Sequence, residues 1–322
     1  MSNSFLHLSK CNFPNKHTYN IKKKIALNGN IYALEHKANY SSNCIKNNLH
    51  PYWITGFSDA ESSFSVKLVK SSLYKLGWRL QPQFQIKLHN RDYLVLESIK
   101  NSFGVGSINK DGNYLAYTVK RPKELIDVII PHFDNYPLIT QKNLDYKLFK
   151  EIVIIMNNKE HLNKEGFNKI LSLRASLNLG FSEALKLEFP HVTPAVRPKV
   201  FTQDIPNPNW LTGFIDGEGC FIINVQHLGN KDKIWLTLQI TQHIRDILLL
   251  ENISKYLNCG RVGVRSTKLA GDFLVSSLDV LSQIIIPFLN KYPLHSVKSQ
   301  DYSDWKLAWE LIKKGEHLTR CR

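Results

Sequence analysis

Residues 53–64 read WITGFSDAESSF and residues 210–221 read WLTGFIDGEGCF. Both run through Trp, Thr-Gly-Phe, Asp-x-Glu and a closing Phe in the same order. The match continues well past the phrase. QIKLHNRDYLVLESI (85–99) returns as QITQHIRDILLLENI (239–253), IIPHFDNYPL (129–138) as IIPFLNKYPL (285–294), and KEHL (159–162) as GEHL (315–318). The offset between copies stays between 154 and 157 positions, as in Gln85 against Gln239 and Glu61 against Glu218. Small drifts of offset are what loop insertions produce, so the chain is a tandem duplication of one domain and not a solenoid of short units. Its 322 residues suffice for two such domains, each with a core of its own.

Each half has a readable element order. The phrase itself is a short helix. After it, Ser63–Lys70 alternates, with Phe64, Val66 and Leu68 on one side and Ser65, Lys67 and Val69 on the other, as a half-buried strand does. Arg79–Leu88 alternates again. Arg91–Ser102 has helical spacing at Leu94, Leu96 and Ile99, with Asn90 as its expected cap. Short strands near 104–110 and 114–120 follow, then helices from about Lys123 and Lys142. The prediction is an α+β protein: a tandem duplicated αββαββα fold with two antiparallel sheets forming a saddle around a pseudo-twofold axis. The expected divisions are a polar, flexible extension over 1–50, a first half over 51–190, a linker over 191–207 and a second half over 208–322.

Composition narrows the partner. Lys and Arg total 42 against 27 Asp and Glu, a formal charge of +15, and such a field favours a polyanion. The apolar faces turn to the helices, so Ser, Lys and Gln project from the other side of each sheet. A twisted β-surface of that kind fits the major groove. The five cysteines are scattered without a C-x-x-C pair, which points to neither disulfides nor a zinc knuckle. No apolar run has the length of a membrane span, and residues 1–50 lack the apolar core of a signal peptide.

Gly56 and Ala60 lie four apart, as do Gly213 and Gly217, so each phrase helix presents small residues on one face and the two backbones can approach closely. The phrase is therefore a domain interface. Glu61 and Glu218 then fall at the helix C-termini near the axis, where carboxylates repel one another and the helix dipoles. A divalent cation resolves that conflict, and hard oxygen ligands suit Mg²⁺. Asp59 and Asp216 are expected to bond backbone near the opposite helix. Paired carboxylates with Mg²⁺ beneath a basic saddle imply phosphodiester hydrolysis, one Glu serving each strand.

LTGFIDGEG (211–219) and ITGFSDAES (54–62) resemble the paired motifs of single-chain LAGLIDADG homing endonucleases, and ITQHIRD and YPLITQK resemble the I-OnuI-like fungal mitochondrial branch. The resemblance covers roughly Pro51–Leu318. It implies a monomer that binds a long asymmetric site on double-stranded DNA and cuts both strands to leave 3′ overhangs. By position it implies Glu61 and Glu218 as catalytic metal ligands, with the carbonyls of Ala60 and Gly217 beside them. It further implies a basic residue near each scissile phosphate, for which Arg265 and Lys120 are the candidates. DNA contacts are expected from Ser63, Ser65, Lys67, Gln83, Gln85 and Lys87, and from Asn224, Gln226, Thr237, Gln239 and Thr241. Some proteins of this family are intron maturases that bind their own intron RNA, which is the alternative function. An abundance of Lys, Asn and Ile suggests an AT-rich organellar gene, mitochondrial with a chloroplast as alternative; translation in the organelle would explain the absence of a transit peptide.

Two departures from the family pattern stand out. Ser62 occupies a motif position held by Gly219 in the second copy, which raises the expectation of strain if that position needs a positive φ. The first half also continues past KEHL into a helix near 164–177 for which the second half shows no counterpart.

Overall fold

The computed structural model describes residues 20–27, 30–37, 49–197, 203–228 and 231–315. Strands β1 (Asn20–Leu27) and β2 (Asn30–Lys37) pair as an antiparallel hairpin within the stretch expected to be a flexible extension. Residues 198–202 of the expected linker, and the second copy of the KEHL segment beyond Gly315, lie outside the described residues.

The first half begins with α1 (Pro51–Glu61), where Pro51 occupies the first turn and the His50 ring accepts from the Tyr52 N–H. Strands β3 (Ser62–Lys70) and β4 (Trp78–His89) follow, then α2 (Tyr93–Phe103), β5 (Ser107–Asp111) and β6 (Tyr114–Val119). The sheet order is β3-β4-β6-β5, all antiparallel. Asn90 does not cap α2: residues 90–92 form a 3₁₀ turn, and it is the His89 ring that accepts from the Arg91 N–H. Gly104, at φ 69°, closes α2 in the left-handed conformation that ends many helices.

A helix then runs as α3 (Pro122–Glu124), widens into a π-turn over Leu125–Ile129 and resumes as α4 (Ile130–Asn135). Pro131 lacks the N–H that a regular turn would need, and the widened turn absorbs that gap. Helices α5 (Lys142–Asn157), α6 (Lys164–Ser176) and α7 (Glu183–Glu188) complete the half.

The second half repeats the plan: α8 (Pro208–Glu218), β7 (Gly219–Leu228), β8 (Lys231–His243), α9 (Ile247–Leu257), β9 (Arg261–Val264), β10 (Ala270–Val275), then α10 (Leu278–Val280), a π-turn at Leu281–Ile285, α11 (Ile286–Lys291) and α12 (Lys298–Lys313). Its sheet order, β7-β8-β10-β9, matches the first. Even the π-turn recurs ahead of a proline, Pro287. Each half has its own core, one centred on Phe64, Phe84, Tyr117 and Phe149, the other on Leu238, Ile240, Phe273 and Trp305.

The two halves meet where α1 crosses α8. A Cβ on Gly56 would overlap the Trp210 carbonyl and lie 3.0 Å from Phe214 N, and one on Gly213 would overlap the Trp53 carbonyl and lie 2.9 Å from Phe57 N. The small-residue stripes are thus the contact itself. The expectation of strain at Ser62 is not met: Ser62 has φ −88° and Gly219 has φ −69°, both extended. The Ser62 hydroxyl donates to the Ser58 carbonyl at 2.7 Å, which satisfies the extra polar group.

The pseudo-symmetry is broken at the paired tryptophans. The Trp210 indole donates to Asp59 Oδ2 at 2.9 Å, while the buried Trp53 indole N–H finds no acceptor and its ring meets the edge of His295 at 5.2 Å. Removing each indole N–H by Trp→Phe should therefore have unequal effects. Trp210→Phe is expected to destabilise by about 1–2 kcal/mol more than Trp53→Phe, since only the former loses a made bond to a carboxylate. Urea melts of the two variants check this, and equal losses would refute it.

Candidate active site and nucleic-acid interface

The motif helices end at Glu61 and Glu218, and their last turns touch. A Cβ on Gly217 would collide with Ala60 Cβ and stand 3.3 Å from Glu61 Cγ. The Glu61 carboxyl is pushed above the ordinary glutamate range by burial first and by the Glu218 charge second, with Lys142 and Lys298 pulling the other way. Two like charges are thus held together by the packing of the glycines, at helix ends that add partial negative charge.

Asp59 and Asp216 do structural work. Asp59 accepts from the Ile139 and Thr140 N–H groups and the Thr140 hydroxyl, at 3.0, 3.2 and 2.6 Å. Asp216 accepts from the His295 N–H at 2.5 Å, the Ser296 N–H at 3.0 Å and the Ser296 hydroxyl. The backbone they bind is the loop ahead of α5 or α12 in their own half, and these loops lie against the other half: His295 meets Trp53 of the opposite helix and Ile139 packs on the second core. The opposite helix is reached by Asp59 alone, through Trp210.

Those loops deliver two residues that the sequence reading passed over. Lys142 Nζ donates to the Ser58 and Ala60 carbonyls at 2.9 and 3.2 Å, and Lys298 Nζ donates to the Gly217 carbonyl at 2.9 Å and to that of Gly219. Each lysine thus places a cation at the end of a motif helix, opposite in sign to the glutamate beside it. Burial pushes the Lys142 ammonium down to about 8, against the pull of Asp59, Glu61 and Glu218. Their shared offset of 156 positions, in YPLITQK and YPLHSVK, was the available signal.

Asp92 and Asp246 were passed over as well. Asp92 in the first half accepts from the Val297 N–H of the second at 3.2 Å, and Asp246 accepts from the Gln141 N–H of the first at 3.0 Å and from Gln203 Nε2 at 2.7 Å. These reciprocal bonds set the lysine-bearing loops against the other half.

Among the described residues no cluster of three or more His, Cys, Asp or Glu could hold a metal. A donor set available at the axis is two carboxylates, Glu61 and Glu218, with the carbonyls of Ala60 and Gly217, each of which keeps a second lone pair beside its bond from Lys142 or Lys298. It is all oxygen and suits a hard divalent cation, whose charge would also relieve the carboxylate repulsion. The residues present fit such an ion.

The open sheet faces carry the remaining candidates. Strand register sets Ser63 opposite Gln85, Ser65 opposite Gln83, and Lys67 opposite Gln81. Gln83 is buried and donates to Gln85 Oε1 at 2.8 Å; Lys87 pairs with Asp111 at 2.6 Å. In the second half Asn224 donates to the buried Thr237 at 3.0 Å, and Gln226 lies opposite Lys233. Gln239, Thr241 and Arg265 all converge on Asp272, at 2.9, 2.6 and 2.7 Å. The Arg265 guanidinium holds the Asp272 carboxyl down to about 2. Lys120 is exposed directly after β6.

A duplicated α+β protein with a carboxylate pair at its pseudo-twofold axis and two open sheet faces is a tandem two-motif fold. The LAGLIDADG endonuclease family model matches residues 54–153 and 211–309, and the chain belongs to that family. A probable intron-encoded endonuclease 2 of Neurospora crassa is 39% identical over 300 residues, 89% of this chain. This chain spans 66% of the length of that relative. A protein of Podospora anserina from ND4 intron 1 is 46% identical over 119 residues, 36% of this chain and 26% of its own. Among solved structures, the LAGLIDADG homing endonuclease I-SmaMI bound to cleaved DNA superposes with a TM-score of 0.82 at 38% identity, over 84% of this chain and 92% of that one. The same protein has been solved on uncleaved target in the presence of calcium ions, with TM-score 0.82, 39% identity and coverage of 84% and 94%.

Proposed function

We propose that the chain is a site-specific endonuclease that cuts both strands of a long, asymmetric DNA site with Mg²⁺ and leaves 3′ overhangs, in the service of intron homing. The observation that carries this reading is the placement of Glu61 and Glu218 together at the axis between two open cationic sheets. The carboxylates and the carbonyls of Ala60 and Gly217 would hold the cation, which polarises the scissile phosphate and acidifies water when bound. The chain's own contribution is position. The glycine contact brings the glutamates together, the lysines orient the carbonyls and add positive charge near the phosphodiester, and the sheets hold the duplex. Water adds to phosphorus, the P–O3′ bond breaks, and the products are a 5′-phosphate and a 3′-hydroxyl.

Arg265 and Lys120 serve the two scissile phosphates in this reading. Arg265 must exchange Asp272 for the phosphate as DNA docks. The strand residues Ser63, Ser65, Lys67, Gln83, Gln85 and Lys87, with Asn224, Gln226, Thr237, Gln239 and Thr241, meet base edges and backbone. The protein acts as a monomer, because both motifs lie on one chain. The ND4-intron relative supports a mitochondrial gene over a chloroplast one.

Cleavage selection from a randomised duplex library in Mg²⁺ tests the reading. One recurring long site, cut on both strands, is expected, with affinity falling steeply as salt rises because phosphate contacts release counterions. Folded protein that cuts no duplex but binds intron RNA would instead establish a maturase.

A further inference from the structure

The two open faces share one plan and differ in chemistry. Where β3 has Ser63 and Ser65, opposite Gln85 and Gln83, β7 has Cys220 and Ile222, opposite Gln239 and Thr237. Where β6 sets Thr118 opposite Gln85, β10 sets Leu274 opposite Gln239. At these three places hydroxyls of the first half give way to a thiol and two aliphatic groups, while Val69 and Ala116 of the first half are matched by Gln226 and Asp272 in the second.

These apolar groups are not core residues. Phe221 and Ile223 pack against the second core, and side chains alternate along a strand, so Ile222 between them projects from the open face. Leu274 lies between the buried Phe273 and Val275 and projects the same way. Both are only half-buried. Burial in the fold gives no reason to prefer them, since serine and threonine fill the equivalent places in the first half. Together with Trp235, which the register places on the same face opposite Asn224, they offer apolar surface to a docked molecule.

On a face meant for duplex DNA the apolar atoms available in the major groove are the C5 methyl groups of thymine. The surrounding charge fits the same occupant, for Arg261 lies opposite Leu274 and Lys233 stands at the far end of the sheet opposite Gln226. We propose that the half-site facing β7–β10 is read in part through thymine methyls, contacted by Ile222 and Leu274 at places where the first half presents the hydroxyls of Ser65 and Thr118. This rests on the endonuclease reading and deepens it to the specificity of one half.

The test uses the full chain and the site recovered by selection. Selection is repeated with Ile222→Ser, and the half whose base preferences change is assigned to the second sheet. Uracil then replaces thymine in each half separately, which removes only the methyl groups. Uracil in the second half is expected to weaken binding about fourfold per contacted base, the ratio set by burial of one carbon. Uracil at the first-half bases nearest Ser65 and Thr118 should change it less than about twofold. In Ile222→Ser and Leu274→Thr the penalty for uracil should shrink. A recovered second half without thymine, or equal sensitivity at the equivalent places of both halves, overturns the inference while the endonuclease stands. A protein that selects no duplex overturns both.

Discussion

Glu218→Gln is expected to lower double-strand cleavage by about 10²–10³-fold, the scale on which one electrostatic group at a transition state acts, while DNA binding persists. Glu61→Gln should do the same, because the axis carries two carboxylates and no described third acid that could substitute. Stability should move the other way. Burial and the Glu218 charge raise the Glu61 carboxyl, so the folded chain binds that proton more tightly than the unfolded chain does. The resulting stabilisation is present below the unfolded value near 4.5 and is lost as pH rises through the raised folded value. At neutral pH the ionised pair is a net penalty. Glu61→Gln removes it, so the metal-free variant should melt above the metal-free wild type at pH 7, with the gap closing as pH falls toward 4.5. Mg²⁺ should raise the melting temperature of the wild type by mass action and leave the double Gln variant unmoved. A Glu218→Gln protein that cuts at the wild-type rate, or a Glu61→Gln protein less stable than wild type at pH 7, would remove the carboxylate pair from its assigned role.

What the sequence made legible was whatever repeats or has a local period. The duplication, the strands that alternate about Phe64 and Phe84, and the glycine spacing of the motif helices needed no knowledge of distant contacts. The axis followed from them, because two small-residue faces and two acids at the same register have one economical arrangement. Lys142 and Lys298 escaped, although each lies within 3.2 Å of a motif-helix carbonyl. They are about eighty positions from those carbonyls in the chain, and no helical or strand period links them. Asp92 and Asp246 escaped for the same reason, since each binds backbone of the other half. The Asn90 cap was misread because the histidines of HNRD and HIRD cap a 3₁₀ turn first, an outcome that local residue preference does not distinguish. Arg265 was picked out as a phosphate partner, but its engagement with Asp272 needed the β9–β10 register to become visible.

Gly213→Ala should be among the most destabilising single-methyl changes in the chain. Its new Cβ would overlap the Trp53 carbonyl oxygen and sit 2.9 Å from Phe57 N and 3.0 Å from Trp53 C, all backbone atoms of the opposite helix. A flexible side chain could swing aside; a helix backbone cannot. The helices must therefore separate, and overpacking at a rigid contact costs about 1–3 kcal/mol or more. Gly56→Ala meets Trp210 and Phe214 in the mirror arrangement and should behave alike. Gly263→Ala is the control, because a Cβ there meets nothing within 4 Å and φ is ordinary, so its stability should stay within about 0.5 kcal/mol of wild type. Activity should respond more steeply than stability. The same crossing that excludes a methyl at Gly213 sets the spacing of Glu61 and Glu218 one turn further on, and a misplacement of about 1 Å at reacting groups costs about 10²-fold in rate. At a temperature where Gly213→Ala remains folded, cleavage should thus be far below wild type while DNA binding, spread over both sheets, is less affected. If Gly213→Ala melts and cuts as the Gly263 control does, the helix crossing does not set the geometry of the glutamates, and the account of why the motif occurs twice is wrong.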